Sequence, residues 1–207
     1  MIESLKLEGR ESPMPQIRTE TLAEHRNWRR HQLIEAAAAI ALESGAEAIT
    51  VGAVAQRAGL SRTSIYEYFA SSADLCADLV IEELDTFNQT LAEAISGVTD
   101  PEEAISKWIR ASLAYIADGR HLLAKALNTV TFPDERKPAI GAAHRALLTP
   151  LIANLEKLQI SDIHQALTLI QSVTDAAAKR IESGNDADAE IETTTAFCIA
   201  GILALVK

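Results

Sequence analysis

Residues 50–69 read TVGAVAQRAGLSRTSIYEYF, and this stretch predicts two short helices joined by a tight turn. Thr50 caps the first, over 51–58, which stops at Gly59; Ser61 caps the second, over 62–69. Two helices that cross steeply need a small residue where they touch, a residue tolerating positive φ in the turn, and an apolar peg beneath the second helix. Ala55, Gly59 and Ile65 meet these three demands, and Val54, Leu60 and Phe69 are expected to pack with them on a preceding helix. The outer side of the second helix then carries Arg62, Thr63, Ser64, Tyr66 and Tyr68. Hydroxyls, phenols and a guanidinium suit phosphate oxygens and base edges in a DNA major groove.

Outward from this stretch the pattern is helical throughout. Upstream, Thr21 and Glu24 form a capping-box pair that opens a helix through Trp28, Leu33, Ala37 and Ile40 to a stop at Gly45. Residues 1–20, with Pro13 and Pro15 and no periodicity, read as a mobile arm. Downstream, Ser71 with Asp74 opens a long helix to Ile95 whose Glu82 and Glu83 lie on an acidic side, and Asp100, Pro101 and Glu103 start another running to about Ala117. A short helix near 121–130 follows, then one over about 135–158 with Pro150 inside it, one capped by Ser161 and ending at Gly184, and a last one capped by Asp186. Ala and Leu dominate an apolar set with only 4% aromatic residues, and no strand-like alternation occurs, so an all-α fold of about nine helices is expected.

Charge is unevenly placed. Of 19 Lys and Arg and 29 Asp and Glu, residues 1–70 hold 8 and 9, which leaves 11 and 20 for residues 71–207; from Arg26 to Phe69 the count is 5 against 4. An acidic body on a near-neutral head is compatible with DNA binding if the basic groups of the head face one way, and it predicts marked salt sensitivity. The start, MIESLKLEGRESP, lacks the apolar run of a signal peptide and no stretch of about 18 apolar residues occurs, so a cytoplasmic protein with no membrane partner is expected. Cys76 and Cys198 belong to no CxxC or Cys/His cluster, and HExxH, GxSxG, P-loop and dinucleotide patterns are missing. No catalytic residue, metal or cofactor is expected.

With these residues in view, 28–75 resembles the DNA-binding domain of the tetracycline-repressor (TetR) family of bacterial regulators. The family pattern is a Thr-capped helix, an Ala-Gly-hydrophobic-Ser turn and a hydrophobic-Tyr-x-His/Tyr-Phe ending, met here by Thr50, Ala58-Gly59-Leu60-Ser61 and Ile65-Tyr66-Glu67-Tyr68-Phe69. The resemblance implies backbone contacts from Thr50, Ser61, Tyr66 and Tyr68, and base readout from Arg62, Thr63 and Ser64. It also implies phosphate contacts from the Arg26, Arg29 and Arg30 group and from Ser72, which stands where the family usually has a Lys. The implied organisation is an arm over 1–20, a helix-turn-helix domain over 21–70 and an effector-binding and dimerisation domain over 71–207. The implied function is a homodimeric repressor of a palindromic double-stranded operator, released by a small-molecule effector.

For the body the resemblance extends to length and helix count, with a pocket among its middle helices and a dimer seam on the last two. Ile191, Cys198, Ile202 and Leu205 step by four and three and form a seam for another helix, with Ile170 on the preceding helix as its companion; the partner helix is either across a two-fold axis or within the subunit. His144 lies on an apolar stripe with Ile140, Leu147 and Leu151 and is expected to point inward, as a pocket residue or as a core histidine. Trp108 and Tyr115 line the same cavity or pack as core aromatics, and Asp175 sits on the polar side of its helix. Two other classes compete with the regulator: a helical enzyme using His144 or His121 as a base, for which no motif exists, and a helical ligand-binding or interaction protein without DNA binding. The intact hydroxyl and phenol set argues against the latter.

Overall fold

Side-chain caps set most of the helix starts. In a computed structural model that describes residues 22–206, the side chains of Thr50, Ser61, Ser71, Asp100 and Asp186 each accept the backbone N–H three residues on. They satisfy orphan donors of the first helical turn. The helices are α1 (Leu22–Ser44), α2 (Val51–Ala58), α3 (Arg62–Ile65), α4 (Ser72–Ala94), α5 (Pro101–Ala117), α6 (Leu122–Leu127), α7 (Lys137–Lys157), α8 (Ile163–Glu182) and α9 (Ala187–Leu203), with a one-turn 3₁₀ helix at Ala46–Ala48. The arm over 1–20 and the Thr21 half of the first capping box lie outside the described residues. The fold is all-α, an N-terminal helix-turn-helix domain followed by a larger helical domain, and among the described residues no helix is long and apolar enough to cross a membrane.

Three boundaries differ from the reading of the sequence. Asp162, not Ser161, caps α8, its carboxylate accepting the Gln165 N–H at 2.9 Å; either residue type suits a cap, and the choice is set by where Ile163 and Ala166 meet the core. α3 ends at Ile65 and continues as a turn in which the Tyr68 and Phe69 N–H groups both donate to the Ile65 carbonyl, dropping Phe69 into the core. α6 is six residues long, shorter than the 121–130 pattern suggested.

Two apolar clusters form. The first joins α1, α2 and α3 to the first half of α4, through Leu75, Leu79 and Leu84, and to Leu123 and Leu127 of α6. The second joins Leu91 of α4 to α5, α7, α8 and α9. α4 therefore belongs to both, and Leu147 of α7 packs on both. Each fully buried leucine contributes roughly 1.5–3 kcal/mol, so the head is completed by residues beyond position 70. An ion cluster reinforces the junction: Arg30 of α1 and Arg136, just before α7, both pair with the buried carboxylate of Asp78 on α4. Arg30 also lies 3.4 Å from Glu82, and Arg136 lies 3.4 Å from Asp74.

The apolar seam of α9 faces inward. Ile170, Cys198 and Ile202 are buried in the second cluster, with Ile191 and Leu205 packed against it. α9 packs on α5 and α8 of its own chain, and Ile170, Cys198, Ile202 and Leu205 also line a groove between α8 and α9 beside Leu169 and Phe197. The outward face of α8 and α9 instead exposes Leu169, Phe197 and Leu203, with Phe197 66% accessible.

Candidate nucleic-acid interface and effector cavity

The turn between α2 and α3 has the geometry its residues demand. Gly59 sits at φ +67°, the Leu60 N–H reaches back to the Ala55 carbonyl at 2.9 Å, and the Gly59 N–H reaches the Gln56 carbonyl at 3.3 Å. This is a Schellman ending. A Cβ at Gly59 would meet no atom within 4 Å, so the backbone angle alone asks for glycine there. Ile65 and Phe69 are buried beneath α3 with Val54 and Ala55. Burying that face turns Arg62, Thr63 and Tyr66 to the outside, all three exposed.

The remaining candidates in the head are engaged to different degrees. Thr50 and Ser61 are exposed caps. Ser64 is half-buried and its hydroxyl lies 2.9 Å from that of Ser61, so it is committed within the turn. Tyr68 is half-buried under the Arg26 guanidinium, which stands 5.9 Å from its ring centre and donates to the Glu67 carbonyl at 3.2 Å. Ser72 is half-buried at the first position of α4.

Tertiary packing sorts the five arginines of the head. Arg57 makes a bidentate pair with Glu43 at 2.6 and 2.7 Å, and Arg30 is held by Asp78, so both charges are neutralised within the chain. Arg30 thereby departs from its expected phosphate role. Arg26 meets a carbonyl, and Arg29 lies over the Trp28 ring at 4.9 Å. Arg62 makes no ion pair or hydrogen bond with the described residues; its guanidinium rests on Gly52, where an added Cβ would come within 2.6 Å of it. Its charge is thus presented without a counter-ion.

A cavity of about 380 Å³ lies among α4, α5, α6 and α7, walled by apolar side chains such as Leu84, Phe87, Ile116 and Leu127. Tyr115 and His144 line it, together with Glu83 and Asn128, which the sequence reading did not single out as pocket residues. The Tyr115 ring stacks on Phe87 at 4.4 Å and carries the Arg120 guanidinium 4.3 Å from its centre. Burial pushes the Tyr115 phenol up, with the Glu83 charge adding to the rise and Arg120 opposing it. Burial likewise pushes the Glu83 carboxyl up, against the pull of Arg120. Val80 and Phe87, three residues before and four after Glu83, were the readable signal that this acid shares the apolar side of α4.

The other body candidates fall at the margins. Trp108 is buried and its indole N–H donates to the Leu147 carbonyl at 3.2 Å, so it lines an adjoining cavity of about 260 Å³ as a committed wall residue. His144 is exposed, contrary to the inward expectation, and sits where the two cavities meet because its position is the edge of the Ile140–Leu147 stripe. Asp175 is exposed and borders the adjoining cavity. His121 also lines the main cavity, with its Nε2 at 2.6 Å from Glu182, whose other oxygen accepts from Lys125 at 2.7 Å. Lys125 first and His121 second hold the Glu182 carboxyl below the usual range.

Comparison with known proteins agrees with this geometry. Residues 33–79 match the family model described as bacterial regulatory proteins, tetR family. The HTH-type transcriptional regulator HbdR of Aromatoleum sp. (strain CIB) is 33% identical over 88 residues, 42% of this chain and 38% of that protein. The HTH-type transcriptional repressor KstR2 of Mycobacterium tuberculosis (strain ATCC 25618 / H37Rv) is 32% identical over 90 residues, 44% of this chain and 45% of that protein. The matched stretch thus spans less than half the length of either relative. Among solved structures, the transcriptional regulator FadR from Bacillus subtilis in complex with stearoyl-CoA superposes with a TM-score of 0.68 at 22% identity, covering 83% of this chain and 98% of that one. The fatty acid degradation regulator FadR from Bacillus halodurans gives 0.66 at 21% identity, covering 84% and 95%. These are likenesses of fold. Over residues 33–79, within its N-terminal domain, the chain is thus similar to the tetR family of bacterial regulatory proteins.

Proposed function

We propose that the protein is a DNA-binding transcriptional regulator, a homodimeric repressor whose α3 enters the major groove of a palindromic operator and leaves it when a small molecule fills the cavity among α4 to α7. The observation that carries this reading is the capped α2–Gly59–α3 unit, with Ile65 and Phe69 buried and Arg62, Thr63 and Tyr66 turned outward. Arg62 and Thr63 read bases, while Thr50, Ser61, Tyr66, Tyr68 and Arg29 hold phosphates, with Ser72 supporting them at the start of α4. The head spans 22–70 and the body 71–206, α4 being shared between their cores. Leu169, Phe197 and Leu203 form the face that pairs two subunits.

α4 couples the two sites. It lines the cavity with Glu83, Leu84 and Phe87 and is locked to α1 through the Asp78–Arg30 pair. A dimer reads two half-sites only when its recognition helices stand about 34–36 Å apart, so an effector that tilts α4 spoils the fit. Moving the balance from 1:99 to 99:1 requires about 5.5 kcal/mol of differential binding, and operator must weaken the effector by the same factor. The Bacillus subtilis FadR neighbour, solved with stearoyl-CoA, supports an effector with a large apolar part.

A mobility-shift titration with DNA upstream of the protein's own gene is the test. Binding should fall steeply with salt, and Arg62→Ala should weaken it by about 1–3 kcal/mol and relax base preference. Failure of the wild type to bind any such DNA above non-specific levels would favour a ligand-binding or interaction protein, the reading to which the formal charge of −10 and Ser72 lend their weight.

A further inference from the structure

The regulator reading leaves the chemistry of the effector open, and the cavity wall narrows it; the inference rests on that reading. Glu83 lines the 380 Å³ cavity and makes no hydrogen bond or ion pair with the described residues. No lysine or arginine lines this cavity. The nearby cation, Arg120, is occupied elsewhere, over the Tyr115 ring and 3.0 Å from the Thr90 hydroxyl. Tyr115 and His144, on the same wall, also leave their hydroxyl and imidazole without a hydrogen-bond partner among the described residues.

A half-buried carboxylate surrounded by apolar side chains is costly unless a donor meets it, and an unsatisfied one asks for an explanation. Burial already raises the proton affinity of Glu83. An anionic ligand would bring a second negative charge beside the Glu83 carboxylate on a wall that carries no lysine or arginine, with Arg120 held over the Tyr115 ring, so carboxylates and phosphates are disfavoured at this point. A cation placed there gains a charge-assisted hydrogen bond and the free face of Phe87, whose other face stacks on Tyr115 while Arg120 covers the Tyr115 ring. The volume falls in the range of small-molecule pockets.

We propose that the cavity takes an aromatic amine, its ammonium on Glu83, its ring system against the free face of Phe87, and a second polar group, where present, at His144. Calorimetry on the full chain with three isosteric probes tests this: 1-naphthylmethylamine, 1-naphthylmethanol and 1-naphthoate. The amine is expected to bind about tenfold tighter than naphthoate with the alcohol between them. Glu83→Gln is expected to bring the amine down to the alcohol and leave the alcohol unchanged, while Ile116→Trp, which fills the cavity, removes all three. Equal binding of amine and naphthoate, an amine affinity untouched by Glu83→Gln, or no binding of any probe would overturn the proposal. Mobility shifts on the same preparations separate the two levels: loss of operator binding overturns the regulator reading, whereas intact operator binding with the wrong order of probes overturns only the amine.

Discussion

The α2–α3 unit and the cavity among α4 to α7 are both made of capped amphipathic helices, yet their functional groups are placed by different means. In the unit, the Thr50 cap, the Gly59 turn, the Ser61 cap and the Ile65 peg lie within sixteen consecutive residues, positions 50–65, and each acts on its near neighbours. In the cavity, Glu83, Tyr115, Asn128 and His144 come from four segments and meet only because two apolar clusters pull α4, α5, α6 and α7 together. The first arrangement survives as long as the local chain does. The second depends on every helix keeping its place.

The largest expected effect tests whether head and body are separable at all. Phe69→Ala removes a fully buried ring from the first cluster and should cost about 3–5 kcal/mol in urea unfolding. Because α4 serves both clusters, the loss should appear in a single transition; a separate early transition of the head would show that the body folds without it. Next, Asp78→Asn leaves Arg30 and Arg136 facing a neutral amide, and about 2 kcal/mol of stability should be lost, less than for a fully buried pair because both guanidiniums reach solvent. An unchanged unfolding midpoint would mean that the cluster does not hold the head to the body.

A smaller effect separates the two faces of one helix. Phe197→Asp should weaken self-association by about tenfold or more in sedimentation equilibrium, equivalent to about 1.4 kcal/mol, and leave the unfolding midpoint of the subunit near its original value. If it unfolds the chain instead, the outer face of α9 is core and not interface. The smallest effect concerns Glu83. Burial raises its folded pKa above the unfolded one, so the stability it contributes is complete in acid and is lost as pH rises through the folded value. Glu83→Gln should therefore raise the melting temperature slightly at neutral pH, with the gain disappearing once the pH falls below the ordinary carboxyl range. A gain that persisted in acid would show that the carboxylate is not the cause.

Legibility followed the range of the forces. Helix caps were readable because Ser, Thr and Asp act on an N–H three residues away, and five of the expected caps are in place. Where two cap-competent residues stand side by side, as Ser161 and Asp162 do, the decision passes to packing. The stripe of α9 was readable as a stripe, but its period carries no label for the partner, and Cys198 and Ile202 both join the second cluster and line the groove between α8 and α9. His144 shows the same limit at one residue: it lies on the edge of an apolar stripe, and only the placing of α5 and α6 determines whether that edge is inside or outside.

The sequence by itself determined the nine helices of the described residues, the α2–α3 turn and the chemistry of the outer side of α3, because caps, positive φ at Gly59 and 3.6-residue periodicity act between neighbours along the chain. Only the tertiary structure decided which charges are available and which acids share a cavity. Arg30, Arg57 and Arg62 are alike in sequence, yet Asp78 and Glu43 neutralise two of them and leave the third. Glu82 and Glu83 are adjacent, yet one meets Arg30 and the other lines the cavity. Coulomb and desolvation energies depend on distances through space, and those distances exist only once the helices have packed.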